Sequence, residues 1–389
     1  MALHHGLLDY AGMPHDDLGR RDFLLGLAAV ALRPAAPAPK FMYVGSFTGK
    51  DRGHGEGLTV FRRSGESDRW TQIQLLKDLA DPSFVIVDRQ GHHLYSAHGD
   101  GTQATAYRID QASGRLTILN QQPTRGTNGV HLAIDRSGRF LVLANYATGT
   151  VALMPITPDG SLGPVIDLAT LTGTPGPHRT QQESSHPHHC PFDPTGRFIV
   201  VPDKGLDKVF VFRVDTDRGK LVPASPPDVA SRAGAAPRHV DFHPSRPYAY
   251  VINEIDSTIA VYQLDAEKGA LKPVQVHTTL PTSYTGNNTS AEIAVASSGR
   301  FVYGSNRGHD SIAIFAIDQS TGLLTSIGWE STHGRTPRFF CLDPTGTQLY
   351  AANQTSDTIV IFRVNEMTGK LTPTGEKLNV ATPTTIAFR

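Results

Sequence analysis

From Lys40 onward, the hydrophobic pattern is that of short strands. Apolar or alternating runs such as Phe198-Ile199-Val200-Val201 and Thr258-Ile259-Ala260-Val261-Tyr262-Gln263-Leu264 are separated by clusters of Asp, Pro, Gly, Thr and Asn. A turn such as Asp193-Pro194-Thr195-Gly196 joins a first strand to a second, because Pro presets φ and Gly tolerates positive φ. A polar loop leads to a third strand, and Lys-Gly-x-Leu or Thr-Gly-x-Leu opens a fourth. The unit recurs as FDPTGRFIVVPDKGLDKVFVFRVD, FHPSRPYAYVINEIDSTIAVYQLD, VASSGRFVYGSNRGHDSIAIFAID and LDPTGTQLYAANQTSDTIVIFRVN, with weaker copies beginning VDRQGHHLY and IDRSGRFLV. The turn residues Gly91, Gly138, Gly196, Arg246, Gly299 and Gly346 follow one another at 47, 58, 50, 53 and 47 residues, the period of a propeller blade.

Six copies lie between Asp81 and Leu371. Phe41-Met42-Tyr43-Val44-Gly45-Ser46 reads as the second strand of a copy whose first strand is missing, and Thr382 to Phe388 reads as a first strand with no successor. Joined, the two ends make a seventh blade and leave no open sheet edge. The expected fold of residues 40–389 is therefore all-β, a seven-bladed β-propeller of four-stranded antiparallel blades closed by N- and C-terminal strands sharing one blade.

Residues 1–39 have a different character. Arg20-Arg21-Asp22-Phe23-Leu24-Leu25, a brief apolar run and the tract RPAAPAPK resemble a twin-arginine export signal and linker. This predicts a periplasmic protein, with a cytoplasmic one as the alternative. Ala29-Val30-Ala31 has the small-residue spacing of a cleavage site, whereas Ala36-Pro37-Ala38 would leave Pro39 after the cut.

Charge narrows the partners. Lys plus Arg and Asp plus Glu are both 36, so no basic field attracts nucleic acid or acidic lipid. No apolar run is long enough to span a membrane once the signal is removed. The expected partner is a small molecule, and the sequence assigns no oligomeric state. Cys190 and Cys341 are the only cysteines, too few for a disulfide framework and without the paired spacing of a zinc site.

The repeat also predicts where chemistry gathers. Six positions before the Pro of the turn, or its equivalent, the first strand starts; ten positions after it, the second ends, at the same end of the blade beside the central channel. The pairs are Ser83 with Gly99, Val130 with Tyr146, His188 with Lys204, Arg238 with Glu254, Ala291 with Arg307, and Arg338 with Gln354, with Phe47 from the first blade. Apolar strand positions repeat from copy to copy, but these do not. Blades four to seven supply His188, Lys204, Arg238, Glu254, Arg307 and Arg338, opposite mostly small or apolar groups from blades one to three. That is the composition of a pocket for an anionic small molecule.

The segments HPHHCPFDPTGRFIVVPD, APRHVDFHPSRPYAYVINE and FVYGSNRGHDSI resemble the seven-bladed propeller lactonase family, which includes propeller-type 6-phosphogluconolactonases and the 3-carboxy-cis,cis-muconate lactonising enzyme. The resemblance spans about residues 40–389. It implies an active site of His188, Arg238, Glu254 and Arg307, a subset of the ring positions, and a small-molecule anionic lactone as substrate. Hydrolysis needs a base for the attacking water, a donor for the oxyanion and a grip on the anionic substituent. His188 is the expected base or acid, Glu254 its orienting partner or the alternative base, and Arg238 and Arg307 the clamp and oxyanion donors. His186, Lys204, Arg338 and Gln354 are expected as substrate-binding neighbours. The alternatives are a muconate-type lactonising cycloisomerase and a non-catalytic propeller scaffold, in which Arg238 and Glu254 are only a structural ion pair.

In SSHPHHCPFDP, strand alternation sends His186 and His188 to one side and His189 to the other, so the clustered histidines amount to at most two ligands. No metal and no cofactor is expected. His189 is expected to pack within its blade, Cys190 to be a small strand residue, and His239 and His243 to make inter-blade polar contacts.

Overall fold

The hairpin at Asp193 shows how one repeat builds itself. Asp193 Oδ1 accepts the N–H groups of Arg197 and Phe198 at 2.9 and 2.8 Å, and its Oδ2 accepts the Thr195 hydroxyl at 2.6 Å. Gly196 completes the turn at φ 73°, a left-handed conformation suited to glycine. Asp135 and Asp343 repeat the arrangement, with bonds of 2.8 to 3.0 Å to the two N–H groups after each turn.

The computed structural model describes residues 37–65 and 69–389; the export signal expected at Arg20-Arg21 lies outside them. Among the described residues the strands form seven antiparallel sheets arranged as propeller blades. Blade 1 joins Phe41–Ser46, Leu58–Arg63 and Trp70–Leu76 to the last strand, Pro383–Phe388. The closing register is Met42 with Phe388, Tyr43 with Ala387, Val44 with Ile386 and Gly45 with Thr385. Gly45 must be small, since a Cβ there would stand 2.2 Å from the Pro82 carbonyl oxygen of blade 2.

Adjacent blades pack face to face. Tyr95 and Ala97 of blade 2 meet Leu132, Leu143 and Met154 of blade 3, and Met42, Val44 and Ile386 meet Tyr350, Ile359 and Ile361 across the closure. A tyrosine four positions after the turn residue adds a directional bond. The hydroxyls of Tyr43, Tyr95, Tyr250 and Tyr303 donate to the carbonyls of Gly114, Gly160, Gly322 and Gly369 in the next blade at 2.9 to 3.0 Å.

Blade 4 departs from the pattern. Its regular strands are Ile199–Asp203, Lys208–Asp215 and Lys220–Ala230, and its inner segment pairs with them through isolated bridges from Pro187 to Asp203 and from Phe192 to Ile199 in place of a regular strand. Pro187 and Pro191 lack the N–H groups a full ladder needs. His188 N–H still reaches the Pro202 carbonyl at 3.0 Å, so the segment keeps its place beside the channel. The long 58-residue spacing before Gly196 accommodates the loop between Asp167–Thr170 and this segment, which lies over Lys204.

Candidate active site

The first strands share a feature that shapes the channel. Ser83, Val130, Arg238 and Arg338 are each skipped in the pairing register, with Pro82, Gly129, Pro237 and Pro337 paired on one side and Phe84, His131, His239 and Phe339 on the other. Each is the extra residue of a β-bulge, a device that re-aims side chains. In blade 6 both Ala291 and Glu292 are skipped. Two consecutive residues of a strand therefore reach the channel, which simple alternation forbids. His186 and His188 share a side as expected, both against Tyr146 at 4.4 and 5.5 Å, but His189 is not separated from His188, since both contact His239.

Two layers result. The upper layer is a mouth of about 150 Å³ lined by Arg52, Tyr146, His188, Lys204, Glu254 and Arg338, with Asn128 and Val130. At its centre Glu254 receives three cations from three blades: Lys204 Nζ at 2.7 Å from Oε1, and Arg238 Nε at 3.0 Å and Arg307 Nη2 at 3.3 Å from Oε2. Burial alone would raise the Glu254 pKa, but Arg307, Lys204 and Arg238 outweigh it and hold the carboxyl well below its usual range. Each cation is further tied: Lys204 to Gln181 Oε1 at 2.9 Å, Arg238 to the Ala291 carbonyl at 2.5 Å and Arg307 to the Ser290 carbonyl at 2.9 Å.

Arg338 differs. Its guanidinium lies 5.0 Å from the centre of the Phe47 ring, with Arg52 on the same ring at 4.1 Å. Arg52 pairs with Asp100 at 2.9 Å, while the Arg338 guanidinium has no hydrogen-bonded or ionic partner among the described residues. Burial, then Arg238, Arg307 and Arg52, hold its pKa well below the usual guanidinium value, against a smaller opposing pull from Glu254.

The lower layer closes the channel with rings: His131 and His189 at 3.8 Å, His189 stacked on His239 at 4.2 Å, and Phe84 against His131 at 4.5 Å. A cavity of about 20 Å³, room for about one water, lies among His188, His239, Glu292, Arg338, Phe84 and Phe339. His188 bridges the layers, with Nδ1 at 3.2 Å from His239 Nε2. Its pKa is pushed well below the usual imidazole value by burial and by Arg238, so it is neutral at pH 7.

A larger groove of about 610 Å³ opens between the turns of blades 2 and 3, near Arg89, His92, Arg136 and Arg139. Its carboxylates Asp88 and Asp135 are taken up by His93 and by turn N–H groups, with no cluster of cations around one carboxylate, among the described residues, like that at the channel mouth. Residues 41–388 match the family described as Lactonase, 7-bladed beta-propeller. The chain belongs to this propeller lactonase family. It is 36% identical over 306 residues to a 6-phosphogluconolactonase of Bacillus subtilis, covering 78% of this chain and 85% of that protein. It is 33% identical to a 6-phosphogluconolactonase of Formosa agariphila, covering 78% and 87%. The solved periplasmic gluconolactonase of Pseudomonas aeruginosa superimposes with a TM-score of 0.83 at 29% identity, covering 90% of this chain and 98% of that one.

Within this propeller lactonase the residues singled out from sequence are distributed unevenly. His188, Lys204, Glu254 and Arg338 line the mouth, Arg238 lines the cavity beneath it, and Arg307 reaches Glu254 from blade 6. His186 donates from Nδ1 to the Tyr146 carbonyl at 3.0 Å, and Gln354 donates to the Arg52 carbonyl at 3.4 Å; neither lines the mouth. Cys190 is fully buried, its thiol pKa raised by burial. Sequence reasoning passed over His239 and Glu292 as site residues. Each stands one position after a ring position, so extending the repeat register by one residue would have found them.

Proposed function

We propose that the protein hydrolyses a lactone carrying an anionic group, with the anion received by Arg338 and the attacking water deprotonated by His188. The observation that carries this reading is the division of cations around one carboxylate. Glu254 already pairs with Lys204, Arg238 and Arg307, which leaves Arg338 as the mouth cation with no carboxylate or hydrogen-bonded partner of its own among the described residues. Glu254, ionised and held by cations, is a weak base; neutral His188 beside it has a lone pair to offer.

In the reaction, water oxygen bonds to the ring carbonyl carbon as its proton passes to His188. Lys204, whose ammonium has a third donor beyond Glu254 and Gln181, stabilises the oxyanion. The ring C–O bond then breaks and the leaving alkoxide takes the proton back from His188, giving a hydroxy acid. Family membership supports an enzyme over a scaffold role, and the 6-phosphogluconolactonase relatives support hydrolysis over lactonisation.

The twin-arginine motif and the likeness to a periplasmic gluconolactonase support a periplasmic setting. A phosphorylated sugar lactone arises in the cytoplasm, so this setting favours a carboxylated or sugar-acid lactone. The deciding experiment is a pH-indicator assay of purified protein against phosphorylated, carboxylated and neutral lactones. Anionic lactones should be turned over with the lowest KM, and His188→Ala should lower kcat by about 10²- to 10⁴-fold. Absence of turnover on every lactone would overturn the reading.

A further inference from the structure

A chain of three groups runs from the mouth into the closed channel. His188 Nδ1 is 3.2 Å from His239 Nε2, and His239 Nδ1 is 2.8 Å from Glu292 Oε1. His239 and Glu292 are buried, and they belong to blades 5 and 6, whereas His188 belongs to blade 4. We propose that Glu292 and His239 are positioning residues that hold His188 in the tautomer whose Nε2 accepts a proton, and so make His188 rather than Glu254 the general base.

The direction of the chain follows from its far end. Glu292 Oε1 also accepts the Ile293 N–H at 2.9 Å, while Oε2 is buried without a protein partner, and the residue lines the cavity that has room for about one water. When Glu292 is protonated its proton therefore sits on Oε2, and Oε1 remains an acceptor in both ionisation states. His239 must then donate from Nδ1, which leaves its Nε2 with the lone pair. That lone pair accepts Nδ1–H of His188, and the remaining nitrogen of His188, Nε2, is left unprotonated and without a protein partner. The ring planes are held independently. His189 stacks on His239 at 4.2 Å while its own Nδ1 accepts the Val240 N–H at 3.2 Å.

Ionisation of Glu292 adds a second effect. Burial raises its pKa to about 8. The charged or titratable groups facing it are Arg238, His239 and Asp241 from blade 5 and Arg338 and Cys341 from blade 7, with His188 and His189 beyond His239. Below pH 8 the relay orients His188 without charge. Above pH 8 the carboxylate also stabilises the imidazolium formed as His188 takes the proton from water. The base and its tautomer rest on the lactonase reading, but the tautomer is measurable without turnover.

The test has two arms. In protein labelled with ¹⁵N-histidine, the His188 signal, assigned by its loss in His188→Gln, should report Nδ1–H with a bare Nε2. The same tautomer should persist in Glu292→Gln, whose amide oxygen can replace Oε1, and be lost in His239→Phe. In the kinetic arm, wild-type kcat on a hydrolysed lactone should step from a lower to a higher plateau around pH 8. Glu292→Gln should keep the lower plateau without the step, and His239→Phe should lower kcat by about 10²-fold with KM within about 2-fold. A wild-type His188 found as Nε2–H, or an unchanged pH step in Glu292→Gln, overturns the relay. If no lactone is hydrolysed, the proposed function falls and the NMR arm still decides the relay.

Discussion

Lys204 Nζ lies 2.7 Å from Glu254 Oε1, an ion pair that ties blade 4 to blade 5 at the rim of the mouth. The same carboxylate holds Arg238 and Arg307, so one residue keeps three cations from repelling one another. Glu254→Gln leaves those charges buried and uncompensated. It should destabilise the fold by about 3 kcal/mol, measured by denaturant melt, as well as lowering activity. A variant as stable as wild type would show that the cluster is not an electrostatic keystone.

Arg338 has the opposite standing, with no carboxylate or hydrogen-bond acceptor to lose among the described residues and the Phe47 ring beside its guanidinium. Arg338→Ala should leave stability nearly unchanged and raise KM for an anionic lactone by about 10- to 100-fold, the worth of a charge-assisted hydrogen bond. KM for a neutral lactone should hardly move. Gln354→Ala, at a second-strand ring position that does not line the mouth, should stay within about 2-fold on both substrates. Equal KM changes for charged and neutral lactones would reject Arg338 as the anion site.

The ring layer should make the fold sensitive to acid. His188, His189 and His239 have pKa values pushed well below the usual imidazole value, burial being the largest cause, and burial lowers His131 to about 3. As pH falls below about 6.5 the unfolded chain gains protons that the native state refuses, so their contribution is lost downward from there. Glu292, raised to about 8, and Asp241, raised to about 6, work the other way, holding protons the unfolded chain has released. The net slope between pH 5 and 6.5 should average about 2 kcal/mol per pH unit, read from urea melts. A flat profile would mean the histidines are charged in the native state.

Closure by the C-terminal strand should carry much of the stability. Ile386 is 5% exposed and packs between Val44 and the Tyr350 strand. Ile386→Ala should cost about 3 kcal/mol, whereas Met367→Ala, at a residue 76% exposed, should cost almost nothing. Similar melts for the two variants would contradict the closing role.

For export, replacing both Arg20 and Arg21 by Lys should retain the protein in the cytoplasm while the purified chain keeps its melting temperature. Undiminished recovery from the periplasm would dismiss the twin-arginine reading.

Much of this was legible along the chain because blade structure is local. Turns such as Asp193-Pro194-Thr195-Gly196 satisfy their own N–H groups, and strand alternation needs only neighbours in sequence. The recurring Tyr43, Tyr95, Tyr250 and Tyr303 carry the inter-blade bond at the same register in four of the seven blades, so repetition marks them as structural. By the same logic, the variable residues at one register position, His188, Lys204, Arg238, Glu254, Arg307 and Arg338, stand out as functional.

Repetition does not say which charges meet. That Glu254 takes Lys204 and Arg307 as well as its own blade's Arg238 depends on the packing of consecutive blades, which brings residues about 50 positions apart within a few ångström. That Arg338 is left over is the consequence of those pairings. Nor does alternation reveal the bulges at Ser83, Val130, Arg238 and Arg338, which turn consecutive side chains toward the axis. The sequence by itself determined the blades and their number, because hairpins and hydrophobic period are short-range. Only the tertiary structure decided which groups share a proton or a charge at the centre, because those bonds are made between blades.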